Sequence, residues 1–179
     1  MPRIPYRNED DPEISDLVEA IRARRKGSLI NLDRMLLHSP PFAQGWSALL
    51  GAVRRNLELS PRIRELAICA VARLNRAGYE WYQHAPEFLE AGGPQAQLDA
   101  LDDVDAAARD EKLFDASERA ALDLTLEMTL GVEVNDATLE RARRIFGDRQ
   151  LTELVGTIAT YNMVSRFLVA LGVDEKGER

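Results

Sequence analysis

Apolar residues recur along most of the chain at three- and four-residue intervals, the spacing of one face of an α-helix. Ile14, Leu17, Val18 and Ile21 form the first such stripe, and Gly27 is its stop. Leu29 to Leu37 predicts a second helix, ended by Ser39-Pro40-Pro41, and Phe42 to Leu57 a third. Ser60-Pro61 starts a fourth, with serine as cap and proline in the first turn, running to about Asn75. Gly78 marks a break, and Tyr79 to Glu90 reads as a fifth helix closed by Gly92-Gly93. Pro86 is placed to kink it. The Asp- and Ala-rich stretch from Gln95 to Lys112 predicts a short helix plus a loop. Ser117 then caps a helix to Leu130, and Asp136 caps another that reaches Phe146 and ends at Gly147. The last helix, Asp148 to Leu171, is apolar on most faces, so it is buried centrally or against another subunit. Val132-Glu133-Val134 is the one strand-like fragment, too short to build a sheet. The pattern is that of an all-α, single-domain chain. Residues 1–12, with three prolines, form an extended arm; 13–172 form the helical domain; 173–179 form a C-terminal tail.

Composition narrows the function. The 179 residues suffice for one proper core, and 45% hydrophobic with 30% charged is an ordinary globular mix. A net charge of −7 argues against nucleic acid and anionic membrane as partners. No apolar run approaches the roughly 20 residues that span a bilayer, and Met-Pro-Arg-Ile-Pro-Tyr has no apolar signal core. The expectation is a cytoplasmic protein with a small-molecule substrate. Cys69 is the only cysteine, which excludes a two-thiol redox couple within the chain.

Proton-transfer groups concentrate between Glu65 and His84. Glu80 and His84 stand four apart, so a helix puts them on one face. His84 is either a general acid or a helix-surface histidine bonded to Glu80. Glu80 either fixes the imidazole tautomer or forms an ordinary helix pair. Glu65, beside Leu66, Ala67 and Ile68, is a buried carboxylate that needs a partner: His84 in a proton relay, or an arginine such as Arg64 or Arg73. Cys69 is a core residue or a reactive thiol in the substrate site. Tyr79 and Tyr82 are candidates to line a pocket for a ring, with Trp81 assigned to core or interface. Tyr161, Asn162 and Arg166 are polar groups in the most apolar helix; Arg166 holds either a substrate carboxylate or a partner across a subunit contact. Glu80, His84, Glu65 and His38 fall short of zinc and iron ligand patterns, so neither a metal nor a cofactor is expected.

These residues resemble the carboxymuconolactone decarboxylase family, whose other main branch is the alkylhydroperoxidase D-like proteins. The resemblance rests on Arg64-Glu65-Leu66-Ala67-Ile68, on Tyr79-Glu80-Trp81 with His84, on Gly92, and on Tyr161-Asn162-Met163 with Arg166. In the peroxidase branch a Glu is followed by two Cys and then a His. Glu65 and His84 match that Glu and His, while the cysteine positions fall on Ala77 and Glu80. The true decarboxylases lack the cysteine pair and have a Glu four before the His and a Gly eight after, as Glu80 and Gly92 stand here. Phe88 replaces their Ala. The resemblance implies an alkylhydroperoxidase D-like helical fold, a trimer or hexamer of identical chains, and a lyase acting on a small cyclic carboxylic acid. His84 would be its general acid, with Glu65 and Glu80 as the other catalytic groups. A peroxidase or antioxidant protein is the alternative, disfavoured by the missing cysteines; a non-catalytic oligomeric binding protein is a third.

Overall fold

The computed structural model describes residues 1–178. It is all-α, with no strand among the described residues: α1 (Ser15–Arg25), α2 (Asn31–Leu36), α3 (Pro40–Arg55), α4 (Pro61–Leu74), α5 (Gly78–Glu90), α6 (Gln95–Ala100), α7 (Val104–Ala107), α8 (Ala116–Leu130) and α9 (Asp136–Leu171). Single 3₁₀ turns cover Pro12–Ile14 and Leu101–Asp103.

The α4 helix is central, packed against α5, α8 and α9. Its run Leu66 to Val71 has no exposed surface. Alanines at 67, 70 and 72 let neighbouring helices approach closely on every side. One face joins the main core with Trp46, Leu50, Ile158 and Tyr161 through Ala67, Ile68 and Val71. The other, Leu66, Cys69 and Ala70, joins a second apolar cluster with Phe88, Leu98, Phe114 and Leu122. In α5, Gly92 ends the helix at φ 87°, and Gly93 N–H returns to the Phe88 carbonyl at 2.9 Å. A Cβ at Gly93 would stand 2.1 Å from the Phe88 ring, so only glycine fits.

Several boundaries differ from the sequence expectation. Ser39-Pro40-Pro41 opens α3 instead of closing α2, because prolines suit a first helical turn whose amides lack partners anyway. The cap of α8 is Asp115, not Ser117: its carboxylate accepts from the amides of Ser117 (2.8 Å) and Glu118 (2.9 Å), and Glu118 bonds back to the Asp115 amide. The cap of α9 is Asn135, not Asp136. The break before α5 falls at Asn75–Ala77, with Arg76 left-handed at φ 54°, and Gly78 is already helical. The last two expected helices run on as one, bent at Gly147 (φ 71°, ψ 170°). That longer helix is, by length and composition, apolar enough to cross a membrane, contrary to the sequence reading; half of its most apolar window is buried against the rest of the chain. Val132 is fully exposed in a loop.

The arm and tail lie together. Arg3 N–H donates to the Leu171 carbonyl (2.8 Å), and the Met1 amine pairs with Asp174 (3.2 Å). The Asn31 side chain holds the carbonyls of Asp174 (2.8 Å) and Lys176 (3.0 Å).

Candidate active site

The short Asn75–Ala77 link folds α5 back along α4, which brings Glu65 and His84 together. His84 Nδ1 lies 2.7 Å from Glu65 Oε2, and the other Glu65 oxygen accepts from Arg64 Nε at 3.1 Å. Both Glu65 (4% exposed) and His84 (6%) are buried. They line a cavity of about 380 Å³, within the size range of small-molecule sites. The cavity is walled by α3, α4, α5 and α9, with Ile30, Leu32 and two arginines of α1 at one side.

Burial decides the protonation of one member of this pair and hydrogen bonds and charges that of the other. Burial would raise Glu65, but the hydrogen bonds and charges of His84 and Arg64 outweigh it and hold the carboxyl below its ordinary range. Burial also pushes His84 down, helped by the Arg54 charge, and Glu65 only partly offsets this. The site therefore holds an ionised Glu65 and a neutral imidazole. A neutral ring in this pose keeps its proton on Nδ1, where Glu65 accepts it, and leaves the Nε2 lone pair free. Nε2 has no protein partner among the described residues. The Tyr161 ring meets the imidazole edge-on at 4.9 Å and 88°, fixing its plane.

Glu80 does not pair with His84. Its two oxygens lie 3.0 and 3.1 Å from Ser165 Oγ on α9. Burial pushes it well above the ordinary carboxylate range, and Ser165 and Arg54 do not compensate. A protonated Glu80 suits this geometry, since one hydroxyl can donate to the carbonyl oxygen and accept from the carboxylic O–H.

The remaining expected site residues divide. Tyr79 lines the cavity, with its hydroxyl 2.5 Å from Glu178 of the tail. Gln83, also on the cavity wall, bonds the same carboxylate at 2.9 Å. Tyr161 backs His84 and accepts from Arg54 Nε at 2.9 Å; burial pushes its phenol up to about 12. Four others lie outside. Cys69 is sealed in the second apolar cluster, and burial, then the Glu65 charge, pushes its thiol far up. Tyr82 is half exposed and off the cavity, because α5 turns it to solvent. Asn162 ties α9 to Thr129 (3.0 Å) and Asn75 (2.9 Å). Arg166 is exposed and bonds the Asn162 carbonyl and side chain, so it does not reach the cavity. His38 bonds the Pro5 carbonyl (2.8 Å), away from the cavity.

Two residues the sequence reading missed are Arg54 and Ser165. Arg54 flanks the buried stripe Ala43, Trp46, Leu50 and Val53 of α3, which it does not interrupt, so the sequence carried no signal for it. Ser165 is a fully buried hydroxyl that interrupts the apolar stripe of α9, and that interruption was its available signal.

Comparison with known proteins agrees with this fold. The carboxymuconolactone decarboxylase family profile matches residues 40–127, which hold α3 to α7 and most of α8, so that stretch of the chain is similar to that family. No curated protein matches it. Among solved structures it is similar to an uncharacterized peroxidase-related protein from Silicibacter sp. TM1040, at 20% identity and TM-score 0.79, covering 99% of this chain and 95% of that one. A peroxidase-related protein from Ralstonia eutropha JMP134 with an alkylhydroperoxidase core gives 20%, 0.80, 99% and 93%. A debrominase solved with 2,3,4-tribromopyrrole gives 13%, 0.77, 97% and 90%. At these identities the likeness is one of fold, the alkylhydroperoxidase D-like helical fold.

Proposed function

We propose that the protein is a lyase of the carboxymuconolactone decarboxylase type, acting on a small cyclic carboxylic acid with His84 as its proton carrier. The observation that carries this reading is the buried Glu65–His84 pair on the wall of a ring-sized cavity. In the reaction, the bond between ring and carboxylate breaks and CO₂ leaves. The electron pair stays on the ring carbon, and a proton from His84 Nε2 closes that carbon. His84 keeps its Nδ1 proton throughout, hydrogen-bonded to Glu65, which steadies the ring and stabilises the imidazolium until Nε2 gives up its proton. Because the free site holds His84 neutral, the proton must be taken up before the chemical step. Glu80, neutral and buried beside the same cavity, adds no negative charge that would oppose a developing carbanion.

The peroxidase alternative lacks support from this chain's own residues, since its one thiol is sealed away from the cavity. The experiment is CO₂ release from a panel of cyclic lactone and ring carboxylic acids. Turnover that falls by about 10²–10⁴ in His84→Asn supports the reading; robust dithiol-driven hydroperoxide reduction that is lost in Cys69→Ser would replace it with the antioxidant one.

We further infer a homo-oligomer of the trimer or hexamer type. Phe42 (46% exposed) and Leu49 (44%) stand out from α3, with Phe42 against Phe167 of α9. Light scattering should give a mass well above 20.1 kDa; a monomer mass would end this inference.

A further inference from the structure

Arg54 reaches the cavity wall from α3. Its Nε is fixed by the Tyr161 hydroxyl at 2.9 Å, with the guanidinium carbon 6.0 Å from that ring's centre. Its two terminal nitrogens make no hydrogen bond or ion pair among the described residues. They are not sealed in packed protein either: the sealed polar side-chain atoms without a hydrogen bond among the described residues are Arg62 Nε and Glu118 Oε1. The residue lines the cavity together with His84, Glu65 and Glu80.

The carboxylates that could neutralise it are otherwise engaged. Glu65 serves Arg64 and His84, and Glu80 is protonated. Asp33 is held by Arg24 (3.1 Å) and Arg25 at the side of the cavity. A partly buried guanidinium with a free fork presents paired N–H donors at the spacing of one carboxylate.

We propose that Arg54 receives the carboxylate of the ligand, and that its occupation lets His84 take up the proton it later delivers. This rests on the lyase reading of the cavity. The titratable and charged groups that share the cavity with His84 are Glu65 and Arg64 from α4, Glu80 and Glu87 from α5, Arg54 and Arg55 from α3 and Arg24 and Arg25 from α1, while the Tyr161 ring of α9 meets the imidazole itself. Of these, the Arg54 charge opposes an imidazolium. An anion on the guanidinium offsets that charge, so binding and proton uptake are linked. Tyr161 is the positioning residue: it holds Nε and turns the free fork outward.

The test uses benzoate, a ring with one carboxylate, and benzamide, the same ring without charge, titrated onto the whole protein by calorimetry and NMR. Benzoate should bind with proton uptake at neutral pH and raise the titration midpoint of His84; benzamide should do neither. In Arg54→Met, benzoate affinity should fall at least about tenfold and the His84 response should vanish. Arg54→Lys, which keeps charge but not the fork, should recover part of it. Equal benzoate affinity in wild type and Arg54→Met overturns the proposal, as does failure of the wild type to prefer benzoate over benzamide. Should Arg54→Met not fold, the wild-type preference and the His84 response decide alone. Failure of the lyase reading looks different: Arg54-dependent binding with no CO₂ release from any cyclic acid removes the reaction and keeps the carboxylate subsite.

Discussion

The two walls of the cavity hold their buried carboxylates in opposite states. On the α4 wall, Glu65 has an arginine and an imidazole N–H, and it is ionised. On the α5 wall, Glu80 has only a serine hydroxyl, and it is neutral. Both are almost fully buried, so burial does not distinguish them. The partners decide: a charged acid in a low-dielectric site needs charge-assisted bonds, and one neutral donor is too little. The site thus has one fixed negative charge to orient His84 and one carboxylic acid that stays electrically silent.

Breaking the ionised wall should have the largest effect. Glu65→Ala leaves the His84 Nδ1–H without its acceptor and Arg64 without its carboxylate. Turnover should fall by about 10²–10⁴, and the fold should lose roughly 1–3 kcal/mol, read by steady-state assay and by chemical denaturation. Glu65→Gln can still accept from His84 but no longer stabilises an imidazolium, so it should lose most of the activity with less loss of stability.

The same change on the other wall should behave in the opposite way. Glu80→Gln keeps a carbonyl and a donor for Ser165 and removes a titratable group. Since the folded state raises Glu80 above its unfolded value, its contribution is complete below the ordinary carboxylate range, near pH 4–5. It is lost as pH rises through the folded value. Glu80→Gln should therefore match wild type at about pH 4 and be the more stable of the two at about pH 8. A wild type that stays the more stable at pH 8 would mean that Glu80 is ionised.

Acid should act on the first wall. His84 and Glu65 are both depressed on folding, so their contributions are present above their unfolded values and lost as pH falls through the folded ones. Loss should begin near pH 6.5, from His84, and deepen below about pH 4.5, from Glu65. Melting curves of wild type and His84→Asn should converge as the pH is lowered.

How much of this was legible in the sequence follows the range of each contact. The Glu65–His84 pair lies within one helix hairpin, and its spacing matched a family pattern, so it could be read directly. Glu80 was assigned to His84 because the two share a helix face; its partner Ser165 comes from α9, eighty-five residues away. Arg54 arrives from α3 and Glu178 from the tail, neither within any local period. Helix caps slipped by one or two residues for a local reason. At Asp115-Ala116-Ser117 and Asn135-Asp136, two residues could cap, and only the one before the first helical turn reaches its free amides.

The smallest effect should come from the far face of α4. Cys69 is only one turn from Glu65 yet sits in a dry cluster. Cys69→Ala should leave turnover unchanged, and the native thiol should resist a thiol reagent until the protein unfolds.

The state of His84 tests the account most directly. The chain has two histidines, so the His38→Asn protein shows a single imidazole. Its ring ¹⁵N shifts, followed across pH by NMR, report both charge and tautomer. The account predicts a neutral ring at pH 7 with the proton on Nδ1 and a midpoint below the usual 6.5. A ring that is charged at pH 7, or neutral with its proton on Nε2, would contradict it.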